Sequence, residues 1–102
     1  MKEVSAKQLL KVLGQRIREL RSERGYSQEG FADECGVHRT FMGTVERGES
    51  NLSFHNIAKV ATTLGVKLSE LFLGLEERAH ASEVRPAGKT AAAIRKRTKR
   101  ST

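Results

Sequence analysis

Apolar residues recur along this chain at the three- and four-residue spacing of a helix face, in five successive short runs. Nowhere do they alternate every second residue as a half-buried strand requires. The first run sets Leu9, Leu10, Leu13, Ile17 and Leu20 on one stripe with Lys and Arg on the other face, and predicts a helix over residues 6 to 24. Gly25 then stops it. Ser27 offers a hydroxyl to the free N–H groups of a second helix, which runs to about Cys35 with Phe31, Ala32 and Cys35 inward. After a turn at Gly36, a third helix extends from His38 to about Arg47 with Phe41, Met42 and Val45 inward, and Gly48 ends it. A polar loop over 49–52 leads to Ser53, the expected cap of a fourth helix carrying Ile57, Val60, Ala61 and Leu64. Gly65 closes that helix, and a last short one over 67–74 carries Leu68, Leu71 and Phe72. The pattern predicts a compact all-α domain of five short helices.

The pattern lapses after Leu75. From 76 to 102 the large aliphatics are only Val84 and Ile94, and the stretch ends in Ile94-Arg-Lys-Arg-Thr-Lys-Arg-Ser-Thr102. Such a segment buries too little apolar area to order itself. The expected division is therefore a helical domain over 1–75 and a basic, flexible tail over 76–102, with room for a nascent helix at 90–97.

Charge sharpens that division. The chain carries +7 overall. Residues 1–75 hold 11 Lys and Arg against 9 Asp and Glu, an ordinary mixed surface, whereas 76–102 hold 8 against 3. A basic balance favours a polyanionic partner. Arg95, Lys96, Arg97, Lys99 and Arg100 are placed to follow a nucleic-acid backbone or to serve as a solubilising end. With 5% aromatic residues the core must be aliphatic, and a single Cys excludes an intramolecular disulfide, as suits a reducing compartment. No apolar run approaches the ~20 residues of a membrane span and no signal region follows Met1, so a cytoplasmic place is expected.

Little in the chain points to chemistry. Cys35 and His38 are spaced like half a metal site, but no second pair completes it, with His55 and His80 distant in sequence. There is no nucleophile elbow, phosphate-binding glycine loop or paired catalytic carboxylate. Neither an enzyme nor a bound metal or cofactor is expected.

What remains is the run from Gly25 to Gly48, where two short helices meet at Gly36-Val37 and the second opens with polar side chains. This is the layout of a helix-turn-helix, here over about 27–47. Ser27-Gln-Glu, Ala32, Gly36-Val37, Val45-Glu46-Arg-Gly48, Ala61-x-x-Leu64-Gly-Val66 and Leu68-Ser-Glu-Leu-Phe72 together resemble the lambda repressor and Cro-like (XRE-type) family of bacterial and phage regulators over residues 8–75. The run 34–48 also looks like the small controller proteins of restriction–modification systems.

The resemblance implies that the N-terminal part of the third helix enters the DNA major groove with His38, Arg39, Thr40 and, one turn on, Thr44. Arg39 can donate two parallel bonds to guanine O6 and N7, and the threonines can offer a hydroxyl or a methyl. His38 stands where the family has Ser or Thr, and a base contact, a helix cap and a phosphate contact all remain open for it. Gln28, Arg47 and Asn51 are the implied phosphate contacts, which set register without reading sequence. Glu46 is implied to pair with Arg21 as a structural ion pair between the first and third helices. Gly30 departs from the family by leaving Ser27 without a capping-box Glu, and Gly43 within the third helix either allows close approach to DNA or is merely tolerated there.

One such unit reads only a few base pairs, so a homodimer on a palindrome is expected. Leu68, Leu71, Phe72, Leu73 and Leu75 exceed what a short terminal helix needs, and residues 66–76 are the expected dimer interface, with closure of the chain's own core as the alternative. The expected function is an operator-binding transcriptional regulator. The alternative is an antitoxin or adaptor whose main partner is a protein, such as a toxin, with polymerase contact left open.

Overall fold

The computed structural model describes residues 4–84, which form six helices and no strand. They are α1 (Ala6–Glu23), α2 (Gln28–Cys35), α3 (Arg39–Glu46), α4 (Phe54–Leu64), α5 (Leu68–Leu71) and α6 (Leu75–Val84). The first five match the pattern of the sequence. Their boundaries follow from caps: Ser5, Ser27 and Ser53 each accept a backbone N–H from the third residue of the helix they begin. Ser5 and Gln8 do so reciprocally, as a capping box.

The sixth helix lies in the segment whose composition reads as tail. Its order comes from docking rather than from an apolar stripe of its own. Leu75 and Ala79, four residues apart, are buried against the other helices, α6 packs along α1, and Arg78 Nη2 donates to Glu19 on α1 at 3.0 Å. Glu76 and Glu77 in its first turn suit the positive end of the helix. An alanine contact carries almost no signal in a hydrophobicity pattern, which is why the folded part reaches beyond residue 75. The segment 90–97 and the basic residues Arg95, Lys96, Arg97, Lys99 and Arg100 lie outside the described residues.

α1 is the axis of the fold and touches α3, α4, α5 and α6. It sends Val12, Leu13, Ile17 and Leu20 into a core shared with Phe31, Ala32 and Cys35 of α2, Met42 and Val45 of α3, Val60, Ala61 and Leu64 of α4, and Leu71 of α5. Burial pushes the Cys35 thiol up from its ordinary range, against smaller opposing effects of Thr63 and Lys59, so it stays a packed, unreactive thiol at neutral pH. Two arginines of α1 and its C-terminus close other helices by donating to their last carbonyls. Arg24 Nε reaches Leu64 O at 2.7 Å, and Arg16 Nη2 reaches Glu70 O at 2.8 Å.

The closest contact is between α1 and the C-terminal end of α3. A Cβ at Gly14 would lie 2.4 Å from the Val45 carbonyl oxygen and 2.7 Å from that of Glu46. One turn earlier on α1, Lys11 Cα lies where a Cβ at Gly48 would be, 2.6 Å away, and Gly48 has φ +75°. The two backbones therefore meet without intervening side chains. In an ordinary exposed helix, Gly→Ala stabilises by about 1 kcal/mol. Here Gly14→Ala is expected to destabilise by about 1–3 kcal/mol through overpacking, seen as a lower urea midpoint with an unchanged slope.

Candidate nucleic-acid interface

The recognition face is built on α3, whose inner side is committed to packing. Met42 and Val45 are buried in the core, and Phe41 packs partly against it. The helix opens outward instead. His38, Arg39 and Thr40 are all exposed at its first turn. His38 is the N-cap: its backbone is extended and its Nδ1 accepts the Thr40 N–H at 3.1 Å. Arg39 is 64% exposed and lies 3.4 Å from the equally exposed Glu29 carboxylate of α2, a loose pair that leaves the guanidinium accessible.

Thr44 is placed differently. Its hydroxyl donates to Phe41 O at 2.7 Å and is bonded to the Ser50 hydroxyl, which ties the loop after α3 back to the helix. The donor expected for a base edge is thus engaged inside the protein, and the methyl is the free part. Asn51 follows this tether and is exposed in the same loop.

Beneath the outer face lies an ionic lock. Arg21 of α1 donates to both Glu46 oxygens, at 2.6 and 3.0 Å, and its third nitrogen donates to Tyr26 O at 2.8 Å. Gln28, first residue of α2, adds a bond from Nε2 to Glu46 Oε1 at 3.1 Å. The Glu46 side chain is 4% exposed and that of Arg21 12%. Three helices are joined at one carboxylate, and each charge is satisfied by a fork-shaped, two-point bond.

Around this lock runs a cleft of about 290 Å³ lined by Arg18, Arg21, Gln28, Gly43, Glu46 and Arg47. A Cβ on Gly43 would stand 3.3 Å from Arg47 Nη1 and 3.5 Å from Gln28 Oε1. Gly43 is buried and forms the floor between α3 and the start of α2. Gln28 and Arg47 are brought together here. Arg18 joins them and is a residue the sequence reading passed over; its signal was the three-residue spacing from Arg21, which sets both on one side of α1.

The expected dimer residues separate into two groups. Leu71 is fully buried and Leu75 is 6% exposed, both within the chain's own core, so Leu71 has no surface to give to a second copy and Leu75 only the edge that it turns to an open groove. Leu71 at the end of α5 and Leu75 at the start of α6 thus close the chain's own core, the alternative to a dimer contact. Leu68 is half-buried against the same core. Phe72 and the neighbouring Leu73 remain outside, 37% and 71% exposed. Phe72 borders an open apolar groove of about 410 Å³, lined also by Ala6, Leu9, Leu10, Leu13, Leu75 and Glu76. Among the described residues no His, Cys, Asp and Glu cluster suits a metal ion, and no helix is long and apolar enough to cross a membrane.

The model of the helix-turn-helix family HTH_3 matches residues 17–71, from the middle of α1 to the end of α5 and just over half of the chain. The chain belongs to this family. Within it, the chain is 43% identical over 61 residues to the control protein C.BamHI of Bacillus amyloliquefaciens, across 59% of this chain and 75% of that protein. It also resembles the crystal structure of the restriction-modification controller protein C.AhdI from Aeromonas hydrophila, with 48% identity and a TM-score of 0.59 across 61% of this chain and 90% of that one. A further likeness is to the hypothetical transcription factor NHTF from Neisseria, with 38% identity and a TM-score of 0.63 across 78% and 93% of the two chains. HTH_3 is a family of DNA-binding domains rather than of enzymes, and this chain's exposed third-helix N-terminus is set on the domain's common frame.

Removing one side of the lock separates it from an ordinary surface pair. Arg21→Met leaves the Glu46 carboxylate buried without its partner and is expected to cost about 3–5 kcal/mol, whereas Arg39→Met, at an exposed pair, is expected to change stability by under about 1 kcal/mol. Chemical denaturation of the two variants beside the parent chain checks the contrast.

Proposed function

We propose that this chain is a transcriptional controller that binds a short palindromic DNA operator as a homodimer. The observation that carries the reading is the first turn of α3: three polar side chains stand exposed on a helix whose other side is locked to α1 and α2. A helix so presented fits the major groove, where each base pair offers a distinct hydrogen-bond pattern. The names of the similar control proteins support the regulatory role.

In this reading Arg39 pairs with a guanine edge, and Thr40 offers a hydroxyl or methyl beside it. Thr44 contributes its methyl alone, since its hydroxyl is held by Phe41 and Ser50. Gln28, Arg47 and Asn51 meet backbone phosphates, and Arg18 strengthens the same positive cleft. Covering promoter DNA would repress transcription without further machinery.

The dimer is proposed to form through Phe72, Leu73 and the groove along Leu9 and Leu10. Large exposed apolar side chains beside an apolar groove are unusual for a monomer's surface. A two-fold pair would set two α3 helices on half-sites roughly one helical turn apart.

Selection of bound sequences from a random duplex library at fixed salt tests the operator. The full chain is expected to enrich a palindrome, and Arg39→Ala to lose about 1–3 kcal/mol of preference at one guanine per half-site. Enrichment of nothing by the parent chain would shift its main partner from DNA to protein. Sedimentation equilibrium tests the dimer: Leu73→Glu is expected to move the chain toward monomer with its helicity intact, and a dimer that persists unchanged would place the interface elsewhere.

A further inference from the structure

We infer that His38 reads the DNA as a hydrogen-bond donor only, through Nε2–H, because capping α3 fixes its tautomer. This rests on the operator reading above and gives it a polarity at one position. Neutral imidazole carries one proton, and the nitrogen that accepts a bond cannot be the one that holds it. Nδ1 accepts the Thr40 N–H at 3.1 Å, so the proton sits on Nε2. Nε2 lies across the ring from the capped backbone, on an exposed side chain, and has no protein hydrogen-bond partner among the described residues.

A Ser or Thr at this position would accept the cap bond on its one oxygen and keep an O–H donor, but on a side chain one atom beyond Cβ and held at the helix end. Histidine performs the cap with one nitrogen and keeps a second arm, rigidly aimed by the first. Purine N7, guanine O6 and thymine O4 can accept from that arm, whereas the amino groups of cytosine and adenine oppose it with another donor. His38 therefore adds discrimination beside Arg39, and does so without an additional ordered side chain.

Two measurements on the full chain test this. In the free protein above the imidazole titration range, long-range ¹⁵N correlation spectra are expected to show His38 Nδ1 unprotonated and Nε2 protonated. The opposite tautomer, or averaging between the two, overturns the proposal. Library selection then compares the parent chain with His38→Ser, which retains a good N-cap and draws the remaining donor back to the helix end, away from where imidazole Nε2 stands. The variant is expected to keep the palindrome while losing roughly 3–10-fold discrimination at one base pair per half-site, the size of a single hydrogen bond. Unchanged preferences overturn the proposal, and so does a uniform loss of affinity across all sequences, which would give the N–H to a phosphate. If the parent chain enriches no palindrome, the operator reading itself falls and takes the proposal with it, while the spectra still report the tautomer.

Discussion

The contact between α1 and the end of α3 at Gly14 is the constraint on which the rest of this molecule depends. It allows two helix backbones to meet directly, with the Val45 and Glu46 carbonyls where a side chain would otherwise stand. Only at that separation can Arg21, two turns further along α1, lie against Glu46 with both ends of its guanidinium engaged. The close contact sets distance and the ion pair sets rotation. Together they fix the axis of α3, and with it the direction of every side chain on its outer face.

The polar groups divide between building and reading. Arg16, Arg21 and Arg24 are used internally, two of them on the last carbonyls of neighbouring helices and one on a buried carboxylate. Thr44 and Ser50 tie down a loop, and Gln28 bridges α2 to the lock. Arg18, Arg39, Thr40 and Arg47 stay exposed, Arg39 and Arg47 in surface pairs with Glu29 and Glu49. A domain this small has one aliphatic core and little stability to spare, so satisfying its buried charges with two-point bonds is what keeps the positive cleft from weakening the fold that carries it.

Much of this was legible in the residues. The inward stripes of α2 to α4, the serine caps and the turn at Gly36 each follow from local rules that act over three or four positions, whereas on α1 the core takes Val12 and leaves the expected Leu10 at the open groove. The Arg21–Glu46 pair came from resemblance rather than spacing, since no local rule joins residues so far apart in sequence. Three features were not legible. Ala79 gave no signal because a single methyl weighs little in a hydrophobic pattern, although it is enough to seat α6 on α1. Leu71 and Leu75 read as surplus because a pattern counts apolar residues without counting the neighbours that consume them. The Thr44 hydroxyl read as a groove donor because its partner, Ser50, is placed by the loop and not by the helix.

The sequence by itself determined which segments up to Leu71 become helices, where the first four begin and end, and that a polar first turn would open the third. These are properties of a few adjacent residues: periodicity, a capping hydroxyl, a glycine able to adopt positive φ. Tertiary structure decided which polar groups remain free. Gly43 became the floor between α3 and α2, Phe72 and Leu73 were left outside while Leu71 and Leu75 went in, and the His38 ring was set with one nitrogen on the backbone and the other outward. The physical reason is that a hydrogen bond or a buried contact has one occupant. Which of several capable groups takes it depends on distances between segments that only the packed chain defines.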